Sequence, residues 1–198
     1  YIAESALVTP NADEAAVLTD IEPNDETSAR RAGEALVEMG ADAALVKGGH
    51  MPGDAVLDVL VTTDSVETAT HPRIGTDATH GSGCTLSSAV ATRLARGASM
   101  SEAVDRSVAF MERAVRYHHD SGSGPGAVHH LVGLRNEAAR EPTVDALDSA
   151  LDRLEQADLG SFALPAGANI AAATPYAETV DETAAVEGGL DIVDGRIR

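Results

Sequence analysis

A glycine-rich run, Thr79-His-Gly-Ser-Gly-Cys84, holds the single cysteine of the chain and lies directly before a segment of good helix formers. Gly81 and Gly83 have no Cβ, so the backbone can turn sharply there and approach a ligand closely. The following helix leaves its first N–H groups unpaired, and these groups and the helix dipole favour an anion such as phosphate. The same field favours the thiolate form of Cys84. We therefore predict an anion-binding loop in which a thiolate accepts a proton from an alcohol.

The run matches neither the phosphate loop that ends in Gly-Lys-Ser/Thr nor the dinucleotide pattern Gly-x-Gly-x-x-Gly. Taken alone, the run favours the other interpretation, a tight turn before a helix with a buried, unreactive cysteine. The choice between these two interpretations depends on the rest of the chain.

Lys47 is the second residue that could do chemistry. It is the one lysine among 14 basic residues, and it lies in the run Lys47-Gly-Gly-His50. In a chain that otherwise uses arginine, a lysine beside two glycines indicates a place that needs a compact ammonium group. Chance retention is the alternative.

Asn11 and Glu14 form the third candidate pair. They follow the short apolar run Ala6-Leu-Val8 and Pro10, and their spacing places both side chains near one face at the exit of a strand. They could bind a metal ion or its waters. A capping box, in which Asn11 and Glu14 close the first turn of a helix, explains the same spacing, and the pattern by itself favours it.

The elements that must position these residues follow from the apolar pattern. The apolar runs 6–8 and 43–46 predict two strands, and the second should be buried on both faces. A helix is predicted over 24–39 between them, so we expect a right-handed parallel crossover. Lys47 would then lie at the carboxyl end of a strand, where open α/β sheets bind ligands. Residues 55–61 and 66–70 predict a hairpin that leads into the glycine loop. Two helices follow, and the second has the stripe Val104, Val108, Met111 and Val115.

Composition excludes several classes of protein. The chain has 198 residues, 43% hydrophobic content and a net charge of −18, which argues against a nucleic-acid-binding face. It has no apolar run long enough to span a bilayer, so we expect no membrane partner. One cysteine cannot form an internal disulfide, and the cytoplasm is the expected setting. The scattered acidic residues are typical of a surface adapted to high salt; an acidic interaction protein is the competing explanation.

Residues 136–142 are polar and end in proline, which predicts a linker between residues 1–135 and a second region, 143–198. Neither Tyr1 nor Arg198 looks like a natural terminus, so we expect a piece of a longer protein. His129 and His130 are adjacent and could bind metal, but neighbouring side chains in extended structure point opposite ways, which favours packing or substrate contact.

Three motifs, in this order and spacing, resemble the carboxyl-terminal half of the hydroxymethylpyrimidine and phosphomethylpyrimidine kinases of thiamine biosynthesis: 9–14, 46–50 and 79–86. The resemblance implies a ribokinase-like, three-layer α/β/α fold with a mostly parallel sheet and a small partial second domain. Cys84 is its most specific feature, because most of that superfamily has Asp there. Residues from about 142 are similar to the start of an archaeal thiamine-phosphate synthase domain, which implies a haloarchaeal bifunctional protein.

The resemblance also implies roles for the candidate residues. ATP and Mg²⁺ are the implied cofactors, and an aminopyrimidine is the implied substrate. Cys84 would be the catalytic base, and the N–H groups of Gly81, Ser82, Gly83 and Cys84 would bind the moving phosphoryl group. Lys47 would neutralise phosphate charge. Asn11 and Glu14 would hold Mg²⁺ and its waters beside the nucleotide. His80 would line the substrate pocket.

The chain departs from the family in two ways. Ser82 and Ala78 stand where the family commonly has Thr and Asn, and the amino-terminal half of the kinase is missing, so this chain could bind nucleotide without turning over substrate. A pyridoxal kinase or other vitamin kinase of the same fold is an alternative, although Cys84 weighs against it. A non-catalytic thiamine-phosphate sensor is a second alternative. The sequence leaves open whether the protein forms a homodimer.

Overall fold

A computed structural model describes residues 1–51, 53–76, 80–120, 124, 126–157, 168–190, 192, 193, 196 and 197. The chain divides into two compact units, Tyr1–His129 and His130–Arg198. Thr79, Ala78 and part of the predicted second region, including residues 158–167, 194 and 195, lie outside the described residues.

The first unit is built around a three-stranded sheet. Its strands are β1 (Ala43–Val46), β2 (Ala55–Thr62) and β3 (Val66–Pro72), in the order β1-β2-β3. Both pairs are antiparallel, and Val61 lies opposite Val66 next to the turn that joins β2 to β3. The predicted hairpin is thus confirmed.

The expectation of a mostly parallel sheet is wrong for these three strands. Parallel pairing with β1 and with the residue after it consists of two isolated bridges among the described residues, Val8 with Ala44 and Asn11 with Lys47, and the predicted strand at 6–8 is reduced to the bridge at Val8. The reason is the length of the connections, because parallel neighbours need a crossover of a dozen or more residues. Only the path from Val8 to β1 is long enough for that.

Helices cover both faces of this sheet. On one face, α1 (Ala12–Thr19) and α2 (Glu26–Glu38) form a core with Val59 and Val61 of β2. The approach is close, since a Cβ at Gly33 of α2 would lie 2.6 Å from a methyl carbon of Val61. A 3-10 turn, Ile2–Glu4, precedes these elements.

On the other face lie α3 (Ser82–Ala95) and α4 (Met100–Arg116), where Val104 of α4 shares a groove with Leu45 and Leu60. Strand residues alternate between faces, which explains why Leu60 lies opposite the side that Val59 and Val61 occupy. The predicted apolar stripe of α4 is confirmed, because its residues Val104, Val108 and Met111 are all buried in the core. Helices on both faces of one sheet make three layers.

The second unit starts with two helices, α5 (Val132–Ala138) and α6 (Arg140–Gln156). Its strands form two small antiparallel pairs: β4 (Ala171–Ala173) with β5 (Thr183–Ala185), and β6 (Ile192–Val193) with β7 (Arg196–Ile197). A 3-10 turn, Val180–Glu182, precedes β5. Asn136 of α5 is buried; its amide oxygen accepts the N–H of Tyr176 at 3.0 Å, and its amide nitrogen donates to Glu182.

Residues 136–142, predicted as a linker, are helical except for Ala139, and their role as a linker stays a prediction. They span the end of α5 and the start of α6. Pro142 does not stop α6 because it lies in the first turn, where a backbone N–H has no partner within the helix. Among the described residues, no helix is long and apolar enough to cross a membrane.

Candidate functional site

A cavity of about 260 Å³ in the first unit brings together four of the residues that sequence analysis singled out: Asn11, Lys47, Ser82 and Gly83. Apolar side chains form much of its remaining wall: Val56, Ile74, Leu86, Val108, Met111 and Val115. The cavity thus combines a polar region, made by chain segments that are distant in sequence, with an apolar one.

Asn11 and Lys47 are neighbours because the chain before α1 runs parallel to β1. The N–H of Lys47 donates to the carbonyl of Pro10 at 2.9 Å, and Asn11 pairs with Lys47 in a parallel bridge. β1 ends at Val46, so Lys47 is the first residue beyond the strand. The expected location of Lys47, at the carboxyl end of this strand, is confirmed.

The glycine loop forms the start of α3. Gly81 is the N-cap and has φ of +80°, a conformation that glycine adopts without strain. The first helical bond runs from the N–H of Thr85 to the carbonyl of Gly81, at 2.9 Å. The N–H groups of residues 82–84 come before that bond and therefore belong to the set that a helix leaves for other acceptors.

The ammonium group of Lys47 lies beside this first turn. A Cβ at Gly83 would lie 3.2 Å from Lys47 Nζ. This distance is shorter than an ordinary van der Waals contact, so the ammonium can hold this position because residue 83 is glycine. A second contact joins α3 to the chain before α1, because Thr9 Oγ1 and Ser87 Oγ are 2.8 Å apart. A cation and the positive end of a helix therefore face the same region, which suits an anion with several charges.

Asn11 and Glu14 form the capping box that the pattern favours. Asn11 Oδ1 accepts the N–H of Glu14, and Glu14 Oε2 accepts the N–H of Asn11, both at 2.8 Å. Among the described residues, no group of three or more His, Cys, Asp or Glu side chains could hold a metal ion. The metal role of this pair stays a prediction.

In the sequence, His80 comes before and Cys84 comes after the two loop residues that line the cavity, Ser82 and Gly83. Cys84 is the third residue of α3 and is an exposed, free thiol. The alternative of a buried cysteine is therefore excluded. His80 is exposed and forms a parallel bridge with Ala127. Their roles in catalysis and substrate binding stay predictions.

Of the two adjacent histidines, His129 is buried and its ring packs on His119 with 4.0 Å between the ring centroids. His130 is exposed. This contact favours packing over metal binding for His129, as the sequence pattern suggested.

Sequence analysis missed Asp58 and His71, which also line the cavity. Asp58 is only 5% exposed, although it is charged. Its Oδ1 accepts the N–H of Gly48 at 2.8 Å, and its Oδ2 lies 3.4 Å from His71 Nε2. The hydrogen bond to Asp58 raises the pKa of His71; burial opposes this, and the negative charges of Asp58 and Glu112 add to it. One feature could have revealed Asp58, namely a carboxylate inside an apolar strand.

Arg73 is a third residue that was missed. Its guanidinium group donates to three backbone carbonyls of the loop between β1 and β2: Gly49 at 2.6 Å, Met51 at 2.7 Å and Gly53 at 2.8 Å. No sequence pattern identifies an arginine that binds backbone carbonyls.

The fold and this site define a class of protein: an α/β domain with a lysine beside the start of a helix and an adjoining apolar wall. Residues 1–129 match the family model described as phosphomethylpyrimidine kinase, and residues 146–198 match the one described as thiamine-phosphate synthase ThiN. The chain belongs to the phosphomethylpyrimidine kinase family.

The names of curated relatives agree with this family assignment. The chain is 42% identical over 126 residues to a hydroxymethylpyrimidine/phosphomethylpyrimidine kinase of Streptomyces coelicolor, covering 64% of this chain and 46% of that protein. It is 37% identical over 136 residues to the Bacillus subtilis kinase of the same name, covering 68% and 50%. The thiamine biosynthesis bifunctional protein ThiED of Geobacter sulfurreducens is 40% identical over 130 residues, covering 66% and 26%. The chain spans about half the length of the two kinases, and less of ThiED.

Solved structures show the same fold. The Bacillus subtilis pyridoxal kinase in its ADP complex has a TM-score of 0.64 and 27% identity, over 67% of this chain and 52% of that one. The Staphylococcus aureus pyridoxal kinase with AMP-PCP and pyridoxal has a TM-score of 0.65 and 27% identity, over 68% and 51%. The expected ribokinase-like α/β fold is confirmed.

Proposed function

We propose that this chain forms the ATP and phosphoryl-transfer part of a kinase that phosphorylates hydroxymethylpyrimidine and then its monophosphate in thiamine biosynthesis. The observation that carries the proposal is the meeting of the Lys47 ammonium with the first turn of α3 at Gly83. Phosphoryl transfer needs positioning and charge neutralisation more than covalent chemistry, and these two groups supply both. The names of the curated relatives support the same reaction.

The cavity fits a nucleoside triphosphate. Its polar region offers the cation of Lys47 and the start of α3, which suit phosphate groups. Its apolar wall, which includes Leu86, Met111 and Val115, suits the flat face of a base. Nucleotide complexes of the Bacillus and Staphylococcus pyridoxal kinases support ATP as the phosphate donor.

The chain's own residues divide the work of transfer. The N–H groups of residues 82–84 bind the phosphoryl oxygens, together with the N-cap residue Gly81, and Lys47 neutralises their charge. The Cys84 thiolate takes the proton of the hydroxymethyl group as its oxygen bonds to the γ-phosphorus. The bond from that phosphorus to the β,γ-bridging oxygen breaks at the same time, and ADP leaves. His80 borders the pyrimidine.

Asn11 and Glu14 are the residues that would hold Mg²⁺ through its waters. Their donor set fits, because magnesium prefers oxygen ligands and keeps several waters. An amide or carboxylate oxygen that caps a helix can also accept from water, so the capping box and the metal role are compatible. The ion would supply charge neutralisation at the phosphates.

The second unit adds the context of this kinase. We assign residues 1–135 to the carboxyl-terminal part of the kinase domain and 143–198 to a region similar to thiamine-phosphate synthase. The match of residues 146–198 supports coupling of the kinase to thiamine-phosphate synthesis. The acidic composition supports a halophilic archaeal source, and the single cysteine supports a cytoplasmic setting.

A product assay tests the proposal. This chain, and a form extended at its amino terminus to the length of the relatives, are incubated with ATP, Mg²⁺, molar KCl and hydroxymethylpyrimidine. We expect the extended form to make the mono- and diphosphate, and its Lys47→Ala variant to lose this activity. The variant Asp64→Ala, in the turn between β2 and β3, is the control. Absence of phosphorylated pyrimidine from the extended form would refute the substrate assignment.

Phosphorylation of pyridoxal is the second candidate, because the solved structures reported above are pyridoxal kinases. The same assay with pyridoxal in place of the pyrimidine decides between them. Exposed Cys84 at the helix start favours the pyrimidine, since the resemblance to that family rests on this residue.

A further inference from the structure

Asp58 is a buried carboxylate with two polar contacts. Its side chain is 6% exposed, and its oxygens face the N–H of Gly48 at 2.8 Å and His71 Nε2 at 3.4 Å. A charged group pays a large desolvation cost on burial unless it is paired and hydrogen-bonded. The cost of burying Asp58 indicates that its two contacts serve the site, because an apolar residue would fill the same place in β2 at less cost.

The contact with Gly48 reaches the backbone next to Lys47. Gly48 begins a 3-10 turn, Gly48–His50, and the N–H of Met51 closes it by donating to the carbonyl of Gly48 at 2.9 Å. The first N–H of such a turn has no acceptor within the turn. Asp58 supplies that acceptor from a strand ten residues further along.

The turn has little freedom on its other sides. A Cβ at Gly48 would lie 2.0 Å from the carbonyl oxygen of Leu57, so the backbone lies directly against β2. Arg73 holds the carbonyls of Gly49, Met51 and Gly53. A carboxylate therefore binds the donor side of this loop and a guanidinium group binds its acceptor side.

Lys47 depends on this support because its side chain is long and flexible. The ammonium reaches Gly83 from a Cα that is fixed on one side by pairing with Pro10 and on the other by the turn at Gly48. If the turn at Gly48 loses its hydrogen bond to Asp58, the Cα of Lys47 is held less firmly, and the ammonium group is no longer directed to α3.

We propose that Asp58 is a positioning residue of the phosphate site, which holds the Gly48 turn and thereby directs Lys47 to the start of α3. Arg73 completes the support from the carbonyl side. This inference rests on the proposed function, since it assigns the ammonium of Lys47 to the phosphates of ATP. It assigns to Asp58 a role that acts through the backbone of Gly48 and the side chain of Lys47.

The test compares two substitutions of similar shape. Asp58→Asn keeps an oxygen that can accept the Gly48 N–H, whereas Asp58→Leu has none. Both are made in the extended form, with Asp64→Ala as a control that removes an exposed carboxylate. Two quantities are measured: amide hydrogen exchange at Gly48 without ligand, and the Kd for ATP.

We expect Asp58→Leu to speed exchange at Gly48 and to raise the Kd for ATP, each by about tenfold, the effect of one lost hydrogen bond to a charged group. Asp58→Asn should stay within about threefold of the unaltered protein in both, because the acceptor remains. The kcat at saturating ATP should fall less than kcat/KM does.

Two results would overturn the inference. One is an Asp58→Leu variant with unchanged Gly48 exchange and unchanged Kd, and the other is an Asp58→Asn variant as impaired as Asp58→Leu. If Asp58→Leu does not fold, Arg73→Lys tests the same loop from its carbonyl side, and unchanged exchange at Gly48 there counts against the proposal. Absence of ATP binding by the unaltered protein would refute the proposed function, while Gly48 exchange would still decide whether Asp58 holds the turn.

Discussion

Lys47 and Gly83 meet although 36 positions separate them in the sequence: a Cβ on Gly83 would lie 3.2 Å from Lys47 Nζ. Lys47 directly follows β1, and Gly83 lies in the first turn of α3. The absence of a side chain at Gly83 leaves room for the ammonium group beside the first turn of the helix.

Gly83→Ala should separate stability from binding. Alanine is favoured over glycine inside a helix by up to roughly 1 kcal/mol, so the free energy of unfolding should hold or rise. The new methyl group displaces the Lys47 ammonium, which is the mobile end of its side chain, and we expect the Kd for ATP to increase. Calorimetry and denaturant unfolding measure the two effects. Gly133→Ala, in α5 with open space around it, is the matched control and should leave ATP binding unchanged.

Lys47→Ala should raise the Kd for ATP by about ten- to a hundredfold, the worth of a hydrogen bond to a charged group. Lys47→Arg should rescue only part of this loss, because a planar guanidinium group is larger than the space beside Gly83. Titration calorimetry at fixed salt measures both. Full affinity in Lys47→Ala would show that the ammonium does not contact phosphate.

Cys84→Ala should lower kcat by about a hundredfold or more and leave the Kd for ATP nearly unchanged, because a general base acts on the hydroxyl proton and not on nucleotide binding. Product formation in the extended form is the measurement. Ala89, on the same helix, gives a control in Ala89→Ser. Unimpaired phosphorylation by Cys84→Ala would exclude the thiolate as the base.

His71 should make stability depend on pH. Its pKa is raised, first by the hydrogen bond to Asp58 and then by the charges of Asp58 and Glu112, while burial opposes the shift. Protonation thus stabilises the folded state: this contribution is complete below the unfolded pKa of about 6.5 and is lost as pH rises through the folded value. Lys47 and Arg73 line the same cavity.

The measurement is urea unfolding of the unaltered chain and of His71→Gln at several pH values, with the His71 ring followed by NMR. The difference in unfolding free energy between the two proteins should shrink above pH 6.5. A ring pKa at or below 6.5 in the folded protein would contradict the prediction. Asp58→Asn, which removes the negative charge, should lower the ring pKa.

Gly48→Ala should destabilise the first unit by about 3 kcal/mol, since a Cβ would collide with the carbonyl oxygen of Leu57 and displace the strand. Gly49→Ala is the control, because no atom lies within 4 Å of the place its Cβ would take. Thermal unfolding of both variants measures the difference. Equal stabilities would mean that the turn moves away from β2 without cost.

The sequence by itself determined the local elements and several of the candidate residues. The cap at Asn11, the hairpin and the apolar stripe of α4 follow from short-range rules, because each depends on residues a few positions apart. Lys47 and the Gly81-to-Cys84 run could be singled out for a similar reason: a lone lysine and a glycine-rich helix start stand out from their surroundings.

Only the tertiary structure decided which of these residues meet and what supports them. β1 is antiparallel to β2 because the connection between them is short, and the apolar pattern did not predict this pairing. The contact of Asp58 with Gly48 and the carbonyl contacts of Arg73 join segments whose separation is fixed by the pairing of β2 with its neighbours. Such contacts depend on distances in space, so residues that support a site from a distance emerge only once the chain is folded.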